Sequence, residues 1–306
     1  KNKRVDCRNS LLGQHLLARL AVDHSVKVKS LHDALGSRPQ NSLLNSQQWQ
    51  VGMHVAEHYA TTPLLPADAP ALAPTLLSFL PDDGAEQIEM EHIQRGTQVI
   101  THCSYARLIF PLALPGITDF DVTAPKFVMP NCTTAMCALP IHLLHQAFGV
   151  EHVNITTLQA ISGTDLPGMP AHVIHDQIVS HIPGEVDALS EELSTIFNAD
   201  FDIDSFATRV PVWRGHTITM SVTLASEADI KSVSNALLQA DNLVIKELPV
   251  SRDSFSGSAP LTTITNLRVK GRRLMMVIKG DNLEAATTGL MQTIVHMCRD
   301  KNAMAE

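Results

Sequence analysis

The chain reads as an α/β protein of two domains, and three observations carry that reading. Up to about residue 130, short apolar runs alternate with longer amphipathic ones, the pattern of strand followed by helix. Beyond Pro130 long period-two runs take over, as in a sheet-rich second unit. At 306 residues the chain is long enough for two cores of ordinary size. The boundary falls near Asn131, giving residues 1–130 and a second domain from 131 to 281.

In the first domain Lys3–Cys7 reads as a strand and Leu11–Ala21 (LLGQHLLARLA) as a helix with a wide apolar stripe. Val26–Leu31 (VKVKSL) alternates like a strand with one exposed face, and WQVGMHV, from Trp49, looks strand-like too. The proline- and alanine-rich Thr61–Pro74 is a connector. Thr75–Leu80 is a strand, Asp82–Arg95 a helix stopped by Gly96, and Thr97–Thr101 the next strand.

The second domain opens with a helix over Cys132–Phe148 that Gly149 ends. A strand follows over His152–Ile161, with Val153, Ile155, Thr157, Gln159 and Ile161 on one face. Helical stretches come next at Pro170–Ile182 and Val186–Phe197. Strands are expected at Ala207–Trp213 and Thr217–Leu224, with WRGH as the turn between them, and again at Met275–Lys279. A helix over Asn282–Arg299 closes the chain. No internal repeat or low-complexity tract is present.

Composition narrows the function classes. A net charge of -8 argues against non-specific binding to nucleic acid or to an anionic membrane surface. No apolar run is long enough to span a bilayer, and the first residues, KNKRVDCRNS, lack the apolar core of a signal peptide. Five cysteines, an odd number, make no disulfide framework, so a reduced, cytoplasmic setting is expected. No cysteine pair has zinc-ligand spacing, and no metal is expected.

Two cysteines share PNCTTAMCALP, Pro130–Pro140. Cys132 opens a helix, where the positive end of the dipole and the unpaired N–H groups favour the reactive thiolate. Cys137 lies among Ala, Met and Leu, as inert packing cysteines do. For Cys132 both readings, nucleophile and small buried hydrophobe, stay open on local grounds. Of the 15 histidines, His216 stands in a Gly-His turn just after Arg209 and Arg214, which would place a base and fixed cations on one connection. A solvent-exposed turn histidine is the plainer reading. His54–His58 (HVAEH) fits the H-x-x-E-H pattern of a class of zinc peptidases, but that chemistry needs a helix and a further ligand. His142 and His145 read as helix-face residues.

Taken together these segments resemble the aspartate-semialdehyde dehydrogenase family, particularly its archaeal and fungal-like branch. PNCTTAMC is similar to that family's P-N-C-[ST]-T segment, TLQAISG to T-x-Q-A-[VI]-S-G, RVPVWRGH to R-[VI]-P-V-x-x-G-H, and GDNL to the start of its last helix. The resemblance implies Cys132 as nucleophile, Gln159 as the residue orienting the acyl group and His216 as the acid/base. It also implies Arg209 and Glu185 as substrate ligands, with Ser162, Gly163 and Asn282 near a nicotinamide. ALGSRPQ resembles a segment that would place Ser37 and Arg38 at the 2′-phosphate of NADP, and HCSYAR one that makes Arg107 a phosphate ligand. Ser10 and Gly13 fall in the expected cofactor loop, where two family glycines are Cys7 and Ser10 here; side chains at such positions obstruct close approach to pyrophosphate. The lysine of G-E-x-x-K is Ala188, and P-E-V-N is PGIT at Pro115–Thr118.

The implied architecture is a Rossmann-like NADP domain, rejoined by the final helix (282–306), with an α+β catalytic and dimerisation domain of the glyceraldehyde-3-phosphate dehydrogenase-like type. The implied activity is NADP-dependent reductive dephosphorylation of aspartyl phosphate to aspartate semialdehyde, in a homodimer or homotetramer. Alternatives are a related acyl-phosphate or acyl-CoA reductase with another substrate, or a catalytically reduced relative acting as an interaction protein.

Overall fold

A computed structural model describes residues 10–22, 26–33, 51–164, 168–198, 201–247 and 262–303. The expected first strand, Lys3–Cys7, lies outside them. The first part is a parallel α/β arrangement. Helix α1 (Leu11–Val22) is followed by β1 (Leu31–Asp33), α2 (Met53–His58) and β2 (Leu64–Pro66), and β1 and β2 pair in parallel. Then come β3 (Thr75–Ser78), α3 (Asp82–Gln94), β4 (Gln98–Thr101) and β5 (Lys126–Val128), whose three strands form one parallel sheet in the order β3-β4-β5.

The second part is built on a six-stranded mixed sheet. Its elements in order are α4 (Cys132–Phe148), β6 (Val150–Gln159), α5 (Ala171–Ile174), α6 (Glu185–Phe197), β7 (Asp202–Arg209) and β8 (His216–Leu224). These are followed by α7 (Ile230–Leu237), β9 (Leu243–Lys246), β10 (Thr262–Lys270), β11 (Arg273–Gly280) and α8 (Asn282–Ala303). The strand order is β7-β6-β8-β11-β10-β9. One sheet face is covered: Met136, Ile141 and Leu144 of α4, Leu189 and Leu193 of α6 and Val233 and Leu237 of α7 bury against Val153, Ile155, Ile218, Met220 and Ile278. Full burial of each such side chain is worth roughly 1.5–3 kcal/mol. On the opposite face Thr219 and Ser221 of β8 sit beside Val277 and Met275 of β11. Phe206 and Met275 are more than half exposed there.

Helix α8 leaves this sheet and packs on the first part. Leu290, Met291 and Met297 share a core with Leu16 and Leu20 of α1, Ile100 of β4 and Phe127 of β5. Arg19 of α1 bonds Glu284 at 3.0 Å, and so does His15.

Helix α4 begins and ends where the sequence places it. The Asn131 side chain caps it, and Gly149 ends it at φ 68°, a conformation that favours glycine. Other expectations need correction. VKVKSL forms no strand until Leu31, because only Leu31–Asp33 finds a partner, in β2. That partner lies within Thr61–Pro74, read as a plain connector. WQVGMHV, read as strand-like, is helical from Met53, where α2 begins, with Val55 and Ala56 buried and Met53, His54, Glu57 and His58 exposed. Pro170–Ile182 is helical only over Ala171–Ile174; Val179 instead forms a two-way backbone bridge with Arg209. WRGH is no hairpin turn, since β6 lies between β7 and β8, parallel to the first and antiparallel to the second. The segment strides over the end of β6. Strands β5, β9 and β10 and helix α7 were not expected.

Candidate active site

The topology brings one end of every central strand to one place. In the parallel sheet, β4 leads into His102–Arg107 and β5 into Met129–Asn131, the carboxyl ends at which open α/β sheets place ligands. In the mixed sheet, β6 ends at Gln159 beside Arg209, the end of β7. Strand β8 starts there with His216, opposite Gly280, the end of β11.

Cys132 is the first residue of α4. The Asn131 Oδ1 accepts from the Thr133 N–H at 3.0 Å and lies 3.3 Å from the Cys132 Sγ. The sulfur is also 3.3 Å from His216 Nε2. His216, 0 % exposed, accepts the Ala160 N–H on Nδ1 at 3.0 Å. A neutral ring that accepts there must carry its proton on Nε2, facing the sulfur. The exposed turn histidine expected from the sequence is therefore a buried one. Burial, with Arg209 nearby, pushes His216 down to about 3, so the ring is neutral at ordinary pH.

The thiol departs from expectation as well. Burial pushes Cys132 up to about 12, and Glu185 adds to that, while Arg107 and Arg209 oppose it. The helix terminus alone does not yield a thiolate, because desolvation of the sulfur outweighs it. Cys137 is fully buried in the sheet core, as a packing residue is.

Around this pair lie the other residues singled out in the second domain. Gln159, 2 % exposed, donates from Nε2 to Glu185 at 2.9 Å. Glu185, the first residue of α6, also accepts from the Asn131 amide at 3.1 Å. Arg209 is buried and donates to the Ala160 carbonyl at 2.9 Å. Gly163 fills the space between: a Cβ there would stand 2.8 Å from Arg209 Nη1 and 3.1 Å from His216 Cε1. Next to it, the Ser162 hydroxyl donates to Asn282 Oδ1 at 2.8 Å, and the Gly215 N–H reaches the same oxygen. Arg107 enters from the first part, donating to the His102 carbonyl at 2.9 Å.

Ser10 and Gly13 lie at the start of α1, where the Ser10 hydroxyl caps the helix by accepting the Gly13 N–H at 3.1 Å. Gly13 has no positive φ, and a Cβ there would make only ordinary contact with Phe79, so nothing in the structure requires glycine. Ser37 and Arg38 lie outside the described residues, as do Cys7–Asn9. HVAEH lies on a helix, yet among the described residues no group of three His, Cys, Asp or Glu side chains could hold a metal. His142 stacks on Phe197, and His145 accepts the Val150 N–H, both on the flank of α4.

Three participants escaped the sequence reading: Asn131, Glu192 and the Ala160 amide. Asn131 carried a signal, an asparagine immediately before a helical run. Glu192 carried none, since a carboxylate in SEELS looks like solvated helix surface. It is instead 1 % exposed, and accepts the Asn131 N–H at 2.7 Å.

Comparison with known proteins agrees with this geometry. Residues 141–284 match the family described as semialdehyde dehydrogenase, dimerisation domain. The chain is 26 % identical to the aspartate-semialdehyde dehydrogenase of Archaeoglobus fulgidus, over 91 % of this chain and 92 % of that one. With the enzyme of the same name from Trichophyton rubrum the identity is 31 %, over 48 % of each. In fold it is similar to aspartate semialdehyde dehydrogenase with NADP from Candida albicans, with a TM-score of 0.80 and 20 % identity, covering 97 % of this chain and 98 % of that one.

Proposed function

Because the chain is similar to an aspartate-semialdehyde dehydrogenase over nine-tenths of its length and matches the semialdehyde dehydrogenase dimerisation domain, we propose that it is an NADP-dependent aspartate-semialdehyde dehydrogenase, interconverting aspartyl phosphate with aspartate semialdehyde and phosphate. The observation that carries this reading is the Cys132 Sγ 3.3 Å from His216 Nε2, ringed by Arg209, Glu185 and Gln159. Residues 1–130 with the C-terminal residues 282–306 are the cofactor domain, and 131–281 the catalytic one.

The donor set suits a dinucleotide. Ser162, Gly163 and the fixed carboxamide of Asn282 adjoin His216 and would hold the nicotinamide end; Ser10 at the start of α1 would face a phosphate. NADP, when bound, exchanges a hydride with the acyl carbon held on Cys132. In the reductive direction the Cys132 thiolate, the form each turnover returns, attacks the acyl phosphate carbon; the bond from that carbon to the phosphate oxygen breaks, and phosphate leaves a thioester on the sulfur. Arg209 and Glu185 grip the carboxylate and amino group of the substrate, and Arg107 faces its phosphate. Once the carbonyl is reduced, its oxygen bears a negative charge that the His216 Nε2–H meets. The C–S bond then breaks, releasing aldehyde and returning thiolate. The cycle therefore needs from His216 a well-placed proton donor, the role its buried, neutral ring suits.

The decisive assay mixes the protein with NADP, aspartate semialdehyde and phosphate and follows NADPH absorbance. Turnover that Cys132→Ala abolishes supports the proposal. Turnover with an acyl-CoA and NADPH in its place points to a reductase of another substrate. No calorimetric binding of NADP overturns the enzymatic reading. The bare face of the six-stranded sheet, with Phe206 and Met275, is the contact in a homodimer, two of which could form a homotetramer.

A further inference from the structure

Glu192 belongs to none of the groups that hold substrate or cofactor in this reading, yet it is among the most deeply buried charges in the second part. Its carboxylate forks. One oxygen accepts the N–H of Asn131, the cap of the cysteine helix, at 2.7 Å, and the other pairs with Arg107 at 3.4 Å. The side chains of Arg107 and Glu192 are 15 % and 1 % exposed. A carboxylate so buried is retained only where its charge is compensated. Burial pushes the Glu192 carboxyl up, and Arg107, the Asn131 N–H and the Thr134 hydroxyl oppose that shift. Arg107 follows β4 of the first part, and Asn131 introduces the nucleophile of the second.

The thiol lies within this charge arrangement. The charged and titratable groups facing Cys132 are His216 from β8, Glu185 from α6, Arg209 from β7 and Arg107 from the loop after β4. Arg107 is one of two cations that favour the thiolate, and Glu192 is the anion paired with it.

We propose that Glu192 is a positioning residue: it ties Arg107 to the cap of the cysteine helix and, by pairing with that guanidinium, limits how much positive charge reaches the thiol. The proposal rests on the reading of Cys132 as the nucleophile, but it is tested on the free protein without turnover. A glutamine at 192 still offers an oxygen to the Asn131 N–H but no longer neutralises Arg107. Loss of the anion itself and the unopposed field of Arg107 act in the same direction, toward thiolate.

The test is the pH profile of iodoacetamide alkylation at Cys132, read by peptide mass spectrometry in the intact protein. Glu192→Gln is expected to speed alkylation at neutral pH about tenfold, as a tenfold larger thiolate fraction would. Glu192→Asp keeps the charge and should stay within about threefold of the parent. It also serves if the glutamine variant fails to fold. In an Arg107→Gln background the effect of Glu192→Gln should shrink by at least half on a logarithmic scale. An unchanged profile in Glu192→Gln overturns the proposal. So does an aspartate variant as fast as the glutamine one, or an undiminished effect without Arg107. None of these outcomes depends on which substrate is turned over. If the NADPH assay fails while the alkylation profile moves, the assignment of Glu192 survives and the catalytic reading does not.

Discussion

His216 is held by a backbone amide on one nitrogen and faces a sulfur on the other, so its chemistry follows from where its proton must sit. Burial lowers its folded pKa to about 3 from an ordinary 6.5. Stability tied to the neutral ring is therefore present above about pH 6.5 and is lost as the pH falls toward 3. The slope in that window is about 1.4 kcal/mol per unit. Thermal unfolding followed from pH 7 to pH 4 should show a steeper loss for the native protein than for His216→Gln, which has no ring to charge. Gly163 makes a second prediction. With its Cβ 2.8 Å from Arg209 and 3.1 Å from His216, Gly163→Ala must displace both groups. Turnover in the NADPH assay should fall at least tenfold, with stability lowered by only about 1–3 kcal/mol, as overpacking costs. The sequence made Cys132, Gln159, Arg209 and His216 legible through their ordered segments. It could not show the state of the thiol, because desolvation depends on neighbours distant in the chain.

Among the elements, α4 was readable because its two ends carry local chemistry, an asparagine cap and a glycine stop. Asn131→Ala should cost about 1 kcal/mol in chemical denaturation, the ordinary worth of such a cap. It should also change the alkylation rate of Cys132, whose sulfur loses a partner. Strands β7 and β8 were located but misjoined. Alternation says which face a residue takes and nothing about which strand lies next to it. VKVKSL and WQVGMHV misled for a related reason, since a short period fits more than one element until a partner decides. Strand β5 and helix α3 are joined by Lys126 and Glu89, 2.7 Å apart and both fully buried, with Tyr105 bonded to the carboxylate at 2.6 Å. Burial pushes Glu89 up, but the bond from Lys126 and those from other neighbours outweigh it and hold the carboxyl low. Lys126→Met strands that charge and should cost about 3–5 kcal/mol in denaturant unfolding. Adding Glu89→Gln should recover part of the loss.

At the scale of the whole molecule, the described residues leave one face of the largest sheet uncovered, where Phe206 and Met275 are 64 % and 51 % exposed. If that face joins two copies, Met275→Lys should shift the species seen by light scattering from dimer to monomer, while leaving the far-ultraviolet spectrum unchanged. The division near residue 131 was expected from the change of periodicity there, whereas the return of the last helix was expected from a resemblance; no periodicity could reveal it. The helix itself was legible, but its destination was not, since an amphipathic stripe does not name the core it enters.

That return has a practical consequence. Helix α8 lends Leu290, Met291 and Met297 to a core made otherwise from residues between Leu16 and Met129. No single cut can then yield two fragments that are each complete. A piece ending near residue 130 would expose the groove left by that helix, and the remainder would carry the same helix with its apolar side bare. Produced separately, both fragments should precipitate; produced together, they should reassociate through that one helix.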